Sequence, residues 1–130
     1  MQKVLIIDDD KFLLDMYALK FTERKFEVAT ALSASDALSK LESGEVKPDV
    51  LLLDIVMPGM DGFELLTEMN KRNVATTLTR IILSNLGQKE DIDRGLALGV
   101  SGYIVKASAT PTEVVNRVLD IMEKKQDTKV

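Results

Sequence analysis

Five short apolar runs, each followed by a segment with helical spacing of apolar residues, constrain this chain more than any other feature. The runs cover residues 4–7, 26–29, 50–56, 81–83 and 103–105. Strands that alternate with helices in this way form a parallel sheet with helices on both faces. The pattern therefore predicts an α/β fold, with a doubly wound five-stranded parallel sheet flanked by five helices.

Capping residues and apolar spacing predict where the helices begin. The caps are Ser33 for the second helix, Asp61 with Glu64 for the third, and Thr110 with Glu113 for the fifth. The first helix is placed at about residues 11–24 and the fourth at about 89–98, where Gly95 is destabilising. In the first helix we expect Leu13, Met16, Tyr17 and Phe21 to face inward, with Phe12, Leu14 and Leu19 as an apolar surplus.

Composition limits the chemistry that the chain can perform. With no Cys and no His in 130 residues, disulfides, thiolate metal sites and the commonest general base are excluded. A net charge of -4 without a basic cluster argues against direct nucleic-acid binding.

No apolar stretch suits a signal peptide or a membrane span, so we expect a cytoplasmic protein that makes no membrane contact. The length fits one domain over residues 1–124, with a frayed polar tail over residues 125–130.

Polar side chains stand where four of the predicted strands end. Asp54 follows four consecutive apolar residues, a position where an unpaired charge would be costly. The others are Asp8, Asp9 and Asp10 after the first strand, Ser84 and Asn85 at the end of the fourth, and Lys106 at the end of the fifth. In a flavodoxin-like sheet of order 2-1-3-4-5, the carboxyl ends of these strands meet at one edge, where ligands bind. The sequence therefore predicts a site at this edge.

The residue types at this edge suit phosphoryl chemistry. Three neighbouring carboxylates, Asp8, Asp9 and Asp54, cannot all stay ionised unless a cation joins them. Oxygen ligands with few direct carboxylates favour Mg²⁺. Lys106 would supply a positive charge and Ser84 a hydroxyl donor for phosphoryl oxygens, with Asp54 placed as an in-line nucleophile.

Each of these elements also has a structural interpretation. Residues 8–10 could be an acidic turn that caps the first helix, and Lys106 alone could be a solvated residue at a strand end. Residues 57–59 and 61–62 are ordinary turn residues. The functional interpretation rests on the conjunction, because four separate strand ends bring complementary groups to one edge.

The motifs at these strand ends resemble the receiver domains of bacterial two-component response regulators. The resemblance extends over about residues 3–123. It is carried by LIIDDD at residues 5–10, DIVMPGMDG at 54–62, Ser84, and GYIVK at 102–106.

The resemblance implies that Asp54 accepts a phosphoryl group from the phosphohistidine of a sensor histidine kinase or phosphotransfer protein, or from a small acyl phosphate. It implies Mg²⁺ held by Asp9, Asp54 and the backbone carbonyl of Val56, with Asp8 acting through water. Such a domain catalyses its own phosphorylation and slow dephosphorylation. We do not expect it to turn over an external substrate.

The resemblance also implies how the signal leaves the domain. Ser84 and Lys106 would contact the phosphoryl oxygens. Ser84 and Tyr103 would then move together and remodel the face made by the fourth helix, fifth strand and fifth helix. That face would signal to a downstream protein partner or to an output domain. Which of these applies, and whether phosphorylation drives a homodimer, stays open.

Three residues depart from the family pattern. Ala107 replaces the usual Pro after the lysine, and a cis peptide before a non-Pro residue costs about 3 kcal/mol, so a trans bond is expected. Asn85 is larger than the usual Ala or Gly and would crowd the phosphoryl pocket. Gly102 replaces the acidic residue that a large class of DNA-binding regulators carries before the aromatic residue, which weakens any inference to their dimer.

Val56 and Leu86 are expected to flank the phosphoryl site, two residues beyond Asp54 and Ser84. Both are apolar. Our hypothesis is that they hinder an attacking water molecule and give a long-lived phosphoryl state.

Three other functions compete with this interpretation. A haloacid-dehalogenase-type, Mg²⁺-dependent aspartyl phosphatase needs a second Asp two residues after the first, where this chain has Val56. A flavodoxin-like flavin binder needs a Ser/Thr/Gly-rich phosphate loop where residues 8–10 are acidic. A degenerate receiver that acts only as a docking module independent of phosphorylation would not need the complete set of Asp8, Asp9, Asp54, Ser84 and Lys106.

Overall fold

The computed structural model describes residues 1–127 and contains five strands, five α-helices and one short 3-10 helix. The strands are β1 (Lys3–Ile7), β2 (Glu27–Ala31), β3 (Val50–Leu53), β4 (Thr79–Ser84) and β5 (Gly102–Val105). The helices are α1 (Lys11–Glu23), α2 (Ala34–Glu42), α3 (Gly62–Arg72), α4 (Lys89–Ala97) and α5 (Pro111–Asp127), and the 3-10 helix is Lys106–Ser108. The strands are parallel in the order β2-β1-β3-β4-β5, so the predicted fold is confirmed.

The core lies in two layers because successive side chains of each strand point to opposite faces. Val4 and Ile6 of β1 pack with α1 and α5, whereas Leu5 and Ile7 pack with α2 and α3. Strand β3 is buried on both faces, which explains why its sequence is a continuous apolar run. Among residues 1–127, no helix is both long enough and apolar enough to cross a membrane.

Strand register brings the polar residues that follow the strands to one edge. Ile7 is paired with Ala31 on one side and with Leu53 on the other, so β1, β2 and β3 end at the same level. Ser84 is paired with Val105, which places Ser84 beside the start of the segment that carries Lys106. The register alone therefore positions the site that the sequence predicts.

The predicted helix caps are confirmed. The side chain of Ser33 accepts a hydrogen bond from Asp36 N–H at 3.0 Å at the start of α2. At the start of α3, Asp61 and Glu64 form a reciprocal capping box. Thr110 and Glu113 bond reciprocally in the same way at the start of α5.

Strand β3 is shorter than predicted. It ends at Leu53 rather than at residue 56, because the chain turns away through Met57, Pro58 and Gly59, and Gly59 has φ +76°. The amide of Asp54 still donates to the carbonyl of Ile7 at 3.0 Å, so Asp54 is held at the end of the sheet. Strand β2 lies one to two residues later than predicted.

One prediction about a helix face was wrong, and one glycine has a packing role that the sequence did not predict. Leu14, assigned to the apolar surplus of α1, is buried with Tyr17 and Phe21, while Leu13 and Met16 are only partly buried. Gly95, which is expected to destabilise α4 by its low helix propensity, is buried against β4, where an added Cβ would lie 2.7 Å from Ile82 Cδ1. In both cases tertiary packing outweighs local propensity.

The predicted tail overlaps the last helix. Helix α5 continues through Asp127, so the first part of the segment predicted as a tail is helical. The rest of it, residues 128–130, lies outside the described residues.

Gly62 joins the fold to the candidate site. Its N–H donates to the carbonyl of Ile55 at 2.9 Å, which seats the first turn of α3 under the segment after β3. An added Cβ would collide with the carbonyl oxygen of Asp54 and lie 2.8 Å from Ile55 Cα. Both are backbone atoms that cannot move independently, so this position requires glycine.

We expect Gly62→Ala to lower the free energy of unfolding by about 1–3 kcal/mol, because overpacking here displaces the backbone of Asp54 and Ile55. The control is Gly87→Ala, because the three heavy atoms nearest to its added Cβ would all belong to the Val105 side chain, the closest at 3.1 Å. Urea unfolding of both variants gives the comparison. Equal stabilities for Gly62→Ala and the wild type would contradict the steric argument.

Candidate functional site

Three charged side chains from three strand ends form the centre of the site. Lys106 follows β5, and its Nζ donates to Asp8 Oδ2 at 2.8 Å and to Asp54 Oδ2 at 3.1 Å. The side chains of Lys106, Asp8 and Asp54 are 10%, 4% and 10% exposed. Two carboxylates that would repel each other are therefore joined by one buried ammonium group.

Both carboxylates are also held at their second oxygen. Asp8 Oδ1 accepts from the backbone N–H of Asp10 at 2.9 Å, and Asp54 Oδ1 accepts from that of Ile55 at 2.7 Å. Each carboxylate thus has a partner on both oxygens, which fixes its orientation.

The environment of Lys106 keeps it charged. Burial by itself lowers the pKa of Lys106, but the hydrogen bonds and negative charges of Asp8 and Asp54 together raise it above the ordinary 10.5. With the folded value above the unfolded one, the stabilisation is complete below pH 10.5 and is lost as pH rises through the folded value. At neutral pH Lys106 is therefore charged.

The acidic residues of the first loop divide into two roles. Asp10 is the N-cap of α1, where its side chain accepts from Leu13 N–H at 3.2 Å, so the capping interpretation holds for this residue. Asp9 is exposed and joins the other two acids. Carboxylate oxygens of Asp8, Asp9 and Asp54 all lie within 4.8 Å of one another. These residues fit Mg²⁺, because they offer hard oxygen ligands on a face that remains open to water.

The two predicted switch residues are connected through the backbone of Leu86. The fully buried Ser84 accepts from Leu86 N–H at its Oγ, at 3.3 Å. The hydroxyl of Tyr103 donates to the carbonyl oxygen of Leu86. Burial, followed by the charges of Asp91 and Asp54, raises the pKa of Tyr103. A movement of Ser84 would therefore disturb the partner of Tyr103 directly.

The remaining predicted neighbours lie at the rim. Val56 is 61% exposed, Leu86 is partly buried and Asn85 is exposed. Val56 and Leu86 line an open cleft of about 320 Å³ with Phe63 and Arg94. Among residues 1–127 no peptide bond is cis, so the Lys106–Ala107 bond is trans as expected, and it begins the 3-10 helix.

Tyr17 is influenced by the charges of the site, although its sequence position did not predict this. Tyr17 is buried on α1, and burial is the main factor that raises the pKa of its hydroxyl. The positive charge of Lys106 lowers this pKa, whereas the negative charges of Asp8 and Asp54 raise it. The charges of Lys106, Asp8 and Asp54 therefore act on the Tyr17 hydroxyl. The sequence assigned Tyr17 only to the inward face of α1, and its polar tip was the signal that could have linked it to the charges of the site.

Comparison with known proteins places this geometry in a family. The family model described as the response regulator receiver domain matches residues 4–119. The chain is 34% identical over 116 residues to the phosphate regulon transcriptional regulatory protein PhoB of Rhizobium meliloti, covering 89% of this chain and 50% of that protein. The chain spans about half the length of the curated relatives it matches.

Solved structures that are similar to this chain are also receiver domains. The receiver domain of the Francisella response regulator 1452 is 30% identical with a TM-score of 0.84, covering 96% of this chain and 99% of that one. A CheY-like response regulator receiver domain protein from Methanospirillum hungatei is 25% identical with a TM-score of 0.86, covering 98% of each chain. Sequence and structure comparisons thus point to the same family.

We expect Lys106→Met to bind Mg²⁺ at least about tenfold more tightly, because the ammonium group holds Asp8 and Asp54 oxygens that would otherwise face the ion. Asp9→Asn should weaken binding. Titration calorimetry measures both, with Lys11→Met as the control, since Lys11 pairs with Asp15 on the exposed face of α1. Unchanged or weaker Mg²⁺ binding by Lys106→Met would show that Lys106 does not compete with the ion.

Proposed function

Because the chain belongs to the response regulator receiver domain family, we propose that it is a phosphoacceptor that takes a phosphoryl group on Asp54. The observation that carries the proposal is the position of Asp54 at the end of a fully buried strand, hydrogen-bonded to Lys106 and next to Asp8 and Asp9. A receiver that only docks to a partner would not need this costly buried charge cluster.

In the proposed reaction, an Asp54 carboxylate oxygen attacks the phosphorus atom in line. A bond from that oxygen to phosphorus forms while the bond from phosphorus to the donor breaks, and its electron pair leaves with the donor. The donor atom is a histidine ring nitrogen of a kinase or phosphotransfer protein, or the acyl oxygen of a small acyl phosphate.

The residues around Asp54 have separate roles in this proposal. Lys106 transfers its hydrogen bonds from the carboxylates to the phosphoryl oxygens, and the Ser84 hydroxyl donates to another. Asp9, Asp54 and the carbonyl of Val56 would hold Mg²⁺, with Asp8 acting through water. When bound, Mg²⁺ neutralises charge on the transferring group. The domain would catalyse only its own phosphorylation and slow dephosphorylation.

Exposed apolar side chains at the same sheet edge as the acidic centre support docking of a protein donor. Phe12, Leu32 and Val56 are 77%, 48% and 61% exposed. They belong to segments that follow β1, β2 and β3, at the same edge as Asp54. Exposed apolar groups that rim a polar site are typical of protein docking surfaces. We propose that this rim receives a sensor histidine kinase or phosphotransfer protein in the cytoplasm.

The output of the proposed switch is the face of α4, β5 and α5. The backbone of Leu86 links Ser84 to Tyr103 of β5 and lies just before α4. Movement of Ser84 towards a phosphoryl group would therefore change this face. Its target would be a downstream partner, an output domain or a second phosphorylated copy, without direct nucleic-acid binding by this domain.

The function is tested by the intact mass of the protein after incubation with acetyl phosphate, with and without Mg²⁺. We expect a single Mg²⁺-dependent phosphoryl adduct in the wild type and none in Asp54→Ala. Asp10→Ala is the control, because Asp10 caps α1 and does not belong to the acidic centre. An adduct that persists in Asp54→Ala would place the phosphoryl group on another residue.

We expect Val56→Asn to lose the phosphoryl group faster, on the order of tenfold or about 1.4 kcal/mol in the barrier, because an amide can position the attacking water. Val56→Ile keeps the apolar character and should retain the wild-type lifetime. The decay is followed by intact mass after removal of acetyl phosphate. Equal decay rates for the Asn and Ile variants would mean that the side chain at 56 does not limit access of water.

For the docking rim, we expect Phe12→Asp to slow phosphoryl transfer from the cognate kinase at least about tenfold, because it places a charge in an apolar contact. Labelling by acetyl phosphate should be unchanged, since a small donor does not need the rim. Comparison of the two donors separates docking from chemistry. Equal slowing with both donors would show that Phe12 supports the site rather than the partner.

A further inference from the structure

A buried arginine lies under the end of α4, on the face of the sheet that packs against α3 and α4. Arg80 of β4 is 4% exposed, and its guanidinium forms no salt bridge with any residue in the described range 1–127. Its Nε, moreover, has no hydrogen-bond partner there. Burial lowers the pKa of Arg80. Burying a cation without a carboxylate partner is costly. The hydrogen bonds that the guanidinium does form therefore indicate which part of the fold it stabilises.

The hydrogen-bond partners of the Arg80 guanidinium within residues 1–127 lie on α3 or directly after the C-terminal end of α4. One terminal nitrogen donates to Asn70 Oδ1 at 2.8 Å. The other donates to the carbonyls of Leu98 at 3.0 Å and Gly99 at 3.2 Å. Asn70 also donates to the Leu98 carbonyl at 2.9 Å. The last carbonyls of a helix lack internal partners and favour a cation, so Arg80 caps α4 from beneath.

Gly99 makes this contact possible. It has φ +93°, and an added Cβ would lie 2.7 Å from Arg80 Nη2. A side chain at this position would therefore push the guanidinium away from the helix end.

Two more contacts hold the C-terminal half of α4. Arg94 stacks over the ring of Phe63 in α3, with its guanidinium carbon 4.3 Å from the ring centre. The next residue, Gly95, is the only buried residue of α4 and lies against Ile82 and Tyr103.

The N-terminal half of α4 has no comparable contacts in the described structure. Its N-cap, Gln88, makes no side-chain capping hydrogen bond. Ile92 is only partly buried. Lys89 and Asp93 form a surface ion pair with 89% and 56% exposed side chains, and such pairs contribute little to stability. Helix α4 is therefore held mainly by contacts of its C-terminal half.

We propose that Arg80 anchors the C-terminal end of α4, so that phosphorylation of Asp54 displaces the N-terminal end of the helix and leaves the anchored end in place. The proposal deepens the proposed function and rests on it for the displacement. The anchor itself exists without phosphorylation, so the two parts are tested separately.

Amide hydrogen exchange of the unphosphorylated protein tests the anchor. In the wild type we expect the amides of Leu98, Gly99 and Val100 to exchange at least about tenfold more slowly than those of Asp91 and Ile92. Arg80→Met should abolish this difference, and the control Arg72→Met should keep it, since Arg72 pairs on the surface with Glu42 of α2 and Glu68 of α3. An undiminished difference in Arg80→Met would overturn the proposal.

Should Arg80→Met fail to fold, Asn70→Ala provides a second test. Asn70 is exposed, and its side chain both accepts from Arg80 and donates to the Leu98 carbonyl. We expect a smaller difference in exchange than in the wild type. No change in Asn70→Ala would count against the anchor.

The displacement is tested by measuring distances between spin labels attached to introduced cysteines. Labelling is specific because the sequence contains no native cysteine. Labels are placed on Ser35→Cys in α2 with either Glu90→Cys or Ala97→Cys in α4, all at exposed positions. With Mg²⁺ and beryllofluoride, a mimic of the phosphoryl group, we expect the distance to residue 90 to change and that to residue 97 to stay constant. When Arg80→Met is added, we expect beryllofluoride to change the distance to residue 97 as well.

The outcomes separate the two proposals. Equal displacement of residues 90 and 97 in the wild type would overturn the anchor while leaving the phosphoacceptor function intact. If calorimetry shows that beryllofluoride does not bind, the proposed function fails, and with it the displacement. The exchange experiment would then decide the anchor alone.

Discussion

The two hydrogen-bonded ion pairs of Lys106 with Asp8 and Asp54 are the interaction on which the rest of the site depends. Two buried carboxylates at neighbouring strand ends would repel each other in the folded state, and the ammonium group between them removes that penalty. The same contact holds Lys106 where it can reach a phosphoryl group on Asp54. A charge arrangement that stabilises the resting fold is thus also the arrangement that phosphorylation would replace.

The fold holds Asp54 rigidly at the end of β3, whereas the segment between β4 and α4 is held by fewer contacts. Asp54 is fixed by the sheet, by its own loop amide and by the close approach of Gly62. By contrast, the side chains of Ser84 and Tyr103 both bond to the backbone of Leu86, which precedes the weakly held N-terminal half of α4. A change of charge at Asp54 would therefore spread through the β4–α4 segment rather than through β3.

Most of the fold could be predicted from the sequence because its signals are periodic and local. Alternating strands and helices predicted a parallel sheet, and the rule that ligands bind at the carboxyl ends of its strands predicted that Asp8, Asp54 and Lys106 lie together. Features that depend on distant packing could not be predicted. Leu14 is buried in a cluster with residues of β4 and α5, and Gly95 lies against Ile82 and Tyr103 of the two flanking strands. Arg80 in a strand gave no sign that its partners would be the carbonyls of Leu98 and Gly99.

A crystal structure with Mg²⁺ and beryllofluoride would test the central claim most directly. The account predicts beryllium on an Asp54 oxygen, Mg²⁺ on Asp9 and Asp54, and Lys106 Nζ moved from Asp8 to a fluorine atom. If Lys106 stayed on Asp8 and Asp54 with beryllofluoride bound elsewhere, the ion pairs would be a structural feature only. The phosphoacceptor role of Asp54 would then be contradicted.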